Sequence, residues 1–177
     1  MVNAKHIRNA LKPGIDPGAI EVVDQIDSTN AESLRRLADN PATREAEGLL
    51  VARSQTAGRG RRGRQWLSPM DAGVYLSIIR VFDAQLSQLQ ALSLVTALSV
   101  AQAIDELGGE PVQLKWPNDI LVGNKKLAGI LLETSGNHDH PAIVFGVGLN
   151  LKLPRQVIDD LGRPVTDLVS ELGAEPD

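Results

Sequence analysis

Apolar and polar positions divide the chain into short strands separated by two helical stretches. Residues 20–26 are rich in β-formers and predict a strand. Asp27-Ser28-Thr29-Asn30 then predicts a helix start. Thr29 and Glu32 have capping-box spacing, and Leu34 and Leu37 supply the apolar stripe. Asn40-Pro41 is its stop signal. Residues 48–53 predict a second strand, and Gln55 to Pro69 a long glycine-containing loop. Val74 to Val81 predicts a third strand, with Val74, Leu76 and Ile78 on one face. Leu86 to Leu107 is nearly uncharged and predicts one long helix buried against a sheet, stopped by Gly108-Gly109.

Strand signals then return. Val112 to Trp116 ends at Pro117. Asp119 to Val122 and Lys126 to Thr134 predict a hairpin around Gly123-Asn124, and Ala142 to Leu151 a last long strand. Thr166 to Leu172 reads as a short helix. This order lacks the regular βαβ alternation of a doubly wound fold. The expected class is α+β, a mixed and largely antiparallel sheet flanked by helices that lie on one face. No repeat or linker divides residues 1–177, so one domain is expected.

Composition adds limits. Aromatics are 3%, so the core must be aliphatic. There is no cysteine, which excludes disulfides and thiolate metal sites. No apolar run approaches the roughly 20 residues of a bilayer span, and the first twelve residues are not an apolar signal segment. A cytoplasmic protein with no membrane or DNA partner is the default expectation.

Charge is unevenly placed. Residues 53–64 hold Arg53, Arg59, Arg61, Arg62 and Arg64 and no acid; removing those five charges from the net −4 leaves −9 on the rest. A positive island on an acidic body suits a small polyanion better than a long nucleic acid. Gly58-Arg59-Gly60-Arg61-Arg62-Gly63 spells G-x-G-x-x-G, but Pro69 follows where a dinucleotide site needs a helix start. A loop whose glycines admit phosphate and whose arginines fork onto it is the better reading. Taken singly, Ser28 reads as a helix cap, Lys115 and Lys126 as edge lysines, Trp66 and Trp116 as packing residues, and His138 and His140 as an exposed turn.

Five segments in order change that weighting: Asp27-Ser28-Thr29-Asn30, Gln55 to Trp66, Lys115-Trp116-Pro117-Asn118-Asp119-Ile120, Lys126-Leu127-Ala128-Gly129-Ile130-Leu131, and Gly146-Val147-Gly148-Leu149-Asn150. The series resembles the motif set of biotin protein ligases over about residues 20–173. The resemblance implies a domain related to class II aminoacyl-tRNA synthetases. It also implies a two-step reaction: biotin and MgATP give biotinyl-5′-AMP, then a lysine of a biotin carboxyl carrier protein displaces AMP. By position, biotin contacts are implied at Ser28, Thr29, Asn30, Gln55, Arg59, Gly60, Arg61, Lys126 and Gly129. Nucleotide contacts are implied at Arg61, Arg62, Trp66, Asn118 and Asn150, and Mg²⁺ contacts at Asp119 and Asn150. Lys126, Arg59 and Arg61 are the expected catalytic cations.

The chemistry asks for such residues. A carboxylate must attack the α-phosphorus of ATP, so cations have to bring two anions together. The ureido group of biotin wants neutral partners, which Ser28, Thr29 and Gln55 supply. Its apolar part wants a slot, expected from residues 74–79 and 130–132. ATP, Mg²⁺ and biotin are then co-substrates, with no prosthetic group expected and a homodimer left open. Where the chain departs from the family's plan, an N-terminal helix-turn-helix and a C-terminal small β-barrel are expected to be absent, with weaker ATP binding or carrier transfer. The alternatives are a lipoate–protein ligase, a non-catalytic biotin or nucleotide sensor, and a nucleic-acid-binding module.

Overall fold

The computed structural model describes residues 3–39, 47–108, 111–136 and 140–174. Its strands are β1 (Ala19–Ile26), β2 (Gly48–Gln55), β3 (Gly73–Val81), β4 (Gln113–Lys115), β5 (Asp119–Val122), β6 (Lys125–Gly136) and β7 (Pro141–Asn150). Its helices are α1 (Ala4–Ala10), α2 (Thr29–Asp39), α3 (Leu92–Asp105), α4 (Arg155–Asp160) and α5 (Leu168–Leu172). The strands form one sheet in the order β1-β2-β3-β7-β6-β5-β4. Only β1 and β2 are parallel, and α2 makes the crossover that parallel neighbours require. The mixed, largely antiparallel sheet is as expected. The sequence patterns did not signal α1 or α4. Asn40-Pro41, Gly109, His138 and Asp139 lie outside the described residues.

Helices lie on both faces of the sheet, not one. Leu37 of α2 packs on Ile79, Ala142 and Val144. On the opposite face Ala97 and Ile104 of α3 pack on Ile120, Val122, Leu127 and Ile130. Strand alternation decides which residues meet which helix.

The expected single buried helix over Leu86–Leu107 is also corrected. A 3-10 turn covers Leu86–Leu89, and α3 begins at Leu92. Only Ala97, Ala101 and Ile104 of α3 are buried, while Leu94, Val95 and Leu98 are 44–53% exposed. The helix meets the sheet through one stripe spaced i, i+4, i+7. Beside it an open apolar groove of about 510 Å³ runs over Val74, Ile78, Phe145 and Val147. By length and apolarity alone the 20-residue Leu86–Asp105 stretch reaches what a bilayer span needs, contrary to expectation. Its stripe instead packs on the sheet.

Ser28, not Thr29, caps α2. Ser28 Oγ accepts from Ala31 N at 3.4 Å, while Glu32 is drawn away by Arg35 and Arg36. Asp27 accepts from Ser28 N and takes Arg35 on both carboxylate oxygens, at 2.8 Å each. The Arg35 bonds lower the Asp27 pKa from 3.8 to about 2. The folded value is the lower one, so this contribution is present above pH 3.8 and is lost as pH falls towards about 2. Asp27→Asn should therefore flatten the acid limb of stability in melts between those pH values. The pair is half exposed, so the neutral-pH effect should stay below about 1 kcal/mol and shrink in salt. An unchanged acid limb would contradict this.

Candidate active site

A narrow slot opens on the face of the sheet that carries α2. Its floor is Gly129 on β6 with Gly146 and Gly148 on β7, and Gly129 pairs directly with Gly148. Alternating glycines within a strand signal close approach of another group. Here the group is the Trp66 indole. A Cβ on Gly148 would lie 2.5 Å from that ring, and one on Gly129 would lie 2.9 Å from it. The free volume is about 40 Å³, room for a few waters at most. A bicyclic ligand therefore needs Trp66 or its loop to shift outward.

Neutral polar groups fill one end of the slot. Thr29 N donates to Gln55 Oε1 at 2.9 Å, and Gln55 Nε2 donates to Ser68 Oγ at 2.7 Å. Ser77 Oγ lies 2.6 Å from Asn30 Oδ1 and 2.8 Å from Thr29 Oγ1. A carbonyl oxygen only accepts, so Ser77 donates to Asn30 and receives from Thr29.

The other end is cationic. Lys126 Nζ lies 2.6 Å from Asp119 Oδ1 and 5.2 Å from the Trp66 ring centre. The lysine is only 16% exposed. Burial lowers its pKa, and the Arg163 and Arg64 charges act in the same direction against the pull of Asp119. Arg163 Nε and Trp66 Nε1 are buried and have no hydrogen-bond partner among the described residues. Both are donors available to a ligand. Asp119 offers one carboxylate here, and no group of three His, Asp or Glu gathers among the described residues. One carboxylate fits Mg²⁺ held chiefly by substrate phosphates.

The arginine loop is a compact tongue. Arg59 bridges to Gln65, Gly60 N bonds Arg64 O and Trp66 N bonds Gly58 O. Its tip is a 3-10 turn at Arg61–Gly63 with Arg62 at φ 57°, in the left-handed region. Arg61 Nη1 reaches Asn118 Oδ1 at 3.3 Å. The positive island is smaller than expected. Arg53 is held by Asp24 and Asp71, and Arg59 is paired with Glu133 at 2.8 Å. Arg61, Arg62 and Arg64 remain as exposed side chains.

Most residues singled out from sequence meet here. Ser28, Thr29, Asn30, Gln55, Arg59, Gly60, Trp66, Asn118, Lys126 and Gly129 all line the slot. Arg61 touches it through Asn118, whereas Arg62 sits at the exposed tip. Asn150 lies behind Lys126. Its amide donates to Lys126 O and Thr166 O, and it lines a second small cleft with Trp66, Lys126 and Arg163. Val74 and Ile78 do not line the slot, because alternation turns them to the α3 groove. Trp116 is no packing residue, being 82% exposed beside the cis Trp116–Pro117 bond. His140 pairs with Asp83. Sequence reading missed Ser77 and Glu133, which stand behind Asn30 at the polar end, and Arg163, which lines the neighbouring cleft; none belongs to a motif.

A model of the biotin/lipoate A/B protein ligase family matches residues 22–150, which is most of the chain. The chain belongs to the biotin/lipoate A/B protein ligase family. Among curated relatives, this ligase-family chain is 38% identical over 156 residues to the bifunctional ligase/repressor BirA of Escherichia coli, covering 88% of this chain and 46% of that protein. It is 39% identical over 154 residues to the biotin–[acetyl-CoA-carboxylase] ligase of Mycobacterium tuberculosis, covering 84% and 55%. It thus spans about half the length of the curated relatives it matches. Among solved structures, the Aquifex aeolicus biotin protein ligase in complex with biotin and ATP has a TM-score of 0.68 at 32% identity, covering 90% of this chain and 63% of that one. The Leishmania major biotin protein ligase in complex with biotinyl-5-AMP has a TM-score of 0.71 at 27% identity, covering 92% and 69%. The class II synthetase-like fold follows from these likenesses.

Proposed function

We propose that this chain activates biotin with ATP to biotinyl-5′-AMP and passes the biotinyl group to a lysine of a biotin carboxyl carrier protein. The observation that carries this reading is the slot itself: neutral hydrogen-bonding groups at one end and the largely buried Lys126 at the other. Ser28, Thr29, Asn30 and Gln55 would receive the ureido group, and the glycine floor the rings. Lys126 would hold the carboxylate, while Arg59, Gly60 and Arg61 close over it. Arg61, Arg62, Trp66, Asn118 and Asn150 would contact the nucleotide. Asp119 and Asn150 would hold Mg²⁺, which when bound neutralises phosphate charge.

The carboxylate oxygen forms a bond to the α-phosphorus and pyrophosphate leaves. A neutral carrier amine then attacks the acyl carbon and AMP departs. This chain needs no nucleophile of its own, because the carrier lysine supplies it. The tongue shields the mixed anhydride from water. Its need for ATP and a carrier protein supports a cytoplasmic setting for the proposed reaction. One seven-stranded sheet shared by the described residues supports a single catalytic domain.

Incubation with biotin and MgATP should yield biotinyl-5′-AMP by mass spectrometry, with none of the corresponding product from lipoate. A lipoyl adenylate in its place would favour the lipoate ligase. Biotin binding without any adenylate would favour the sensor.

A further inference from the structure

Glu133 has no part in the chemistry above, yet it stands on the slot face of β6 and joins two separate groups. Its Oε1 takes Arg59 Nη2 at 2.8 Å, and its Oε2 takes Asn30 Nδ2 at 2.9 Å. Asn30 Nδ2 also reaches Leu131 O at 3.2 Å, and Asn30 Oδ1 receives Ser77. The series continues through Thr29 and Gln55 to Ser68, whose Oγ reaches Trp66 O at 3.3 Å. Arg59 stands at the start of the tongue, and Trp66 and Ser68 at its end. One hydrogen-bonded series therefore leaves the tongue near its start, passes through the polar end of the slot and rejoins the tongue at its finish. Of its intermediate members Ser77, Asn30, Thr29 and Ser68 are buried, and Gln55 is partly buried.

We propose that Glu133 is a positioning residue that latches the tongue over the slot through Arg59 and couples this latch, through Asn30 and Ser77, to the ligand-lining groups. The ligand side rests on the function proposed above; the latch is a property of the ligand-free protein. Arg59 is half exposed, and an unguided arginine loses rotamer freedom when pinned. A carboxylate already fixed by Asn30 lowers that cost because its acceptor oxygens are pre-oriented. Part-exposed ion pairs add little stability, so the role predicted for Glu133 is orientation.

The test uses the full ligand-free chain and limited trypsin digestion, which cuts after Arg61, Arg62 and Arg64, read by mass spectrometry. Glu133→Gln should speed tip cleavage about fourfold, the factor matching the loss of a part-exposed ion pair. Arg59→Gln should do the same, and the double variant should exceed neither single. Tm should barely move. In adenylation assays Glu133→Gln should raise KM for biotin about tenfold, and KM for MgATP should rise with it because the tongue also carries Arg61, Arg62 and Trp66. Cleavage within twofold of wild type, additive single effects, a collapsed Tm, or an unchanged biotin KM beside faster cleavage would each overturn the proposal. Faster, non-additive cleavage in a chain that makes no adenylate would uphold the latch while the function proposed above falls.

Discussion

Lys126→Ala should cut adenylate formation about a thousandfold while leaving the chain folded, the loss expected when a preorganised cation no longer meets charge developing in the transition state. The side chain reaches over the glycine floor between Asp119 and Trp66. Its backbone bonds to Pro164 and Thr166 survive in alanine. Asp119 is left with water access, so the stability cost should be about 1 kcal/mol. Substrate adenylation followed by quenched-flow, beside a thermal melt, separates the two effects. A rate within tenfold of wild type would remove Lys126 from the reaction. The lowered pKa adds a second mark. Burial favours the neutral amine, so the alkaline loss of wild-type activity should begin at lower pH than for a surface lysine.

Gly146→Ala should be the most damaging single methyl group in the slot. Its Cβ would fall 2.2 Å from Asn30 Oδ1. Asn30 cannot yield easily, since Ser77, Leu131 and Glu133 hold its carboxamide from three sides. Overpacking plus broken buried hydrogen bonds should cost about 3 kcal/mol, a fall in Tm of roughly 6–12 °C for this size of domain. Biotin affinity measured by calorimetry should fall with it. An unchanged Tm would mean that the carboxamide is not clamped as described.

Much of the fold was legible because the relevant signals are local. Alternation at Val74, Leu76 and Ile78 marks a half-buried strand wherever it occurs, and Gly123-Asn124 marks the β5–β6 hairpin. The Gly146-Val147-Gly148 run announces a close approach without naming what approaches. The α3 stretch misled because apolarity reports that a helix can be buried, not that a partner covers each side. Thr29 and Glu32 misled because Arg35 and Arg36 compete for the glutamate that a capping box requires.

For the site, sequence by itself placed the lysine on the hairpin, the serine and threonine at a helix start, and the arginines on a loop between core strands. It also carried the family resemblance. Tertiary structure alone decided how those charges are spent. Arg53 and Arg59 meet Asp24, Asp71 and Glu133 from other parts of the chain, so two of five arginines are already paired. Glu133 and Ser77 acquire meaning only where β6, β3 and α2 converge on one face of the sheet. The physical reason is range: strand period and turn chemistry act between neighbouring residues, whereas ion pairs and buried hydrogen bonds depend on which distant segments the sheet order brings together.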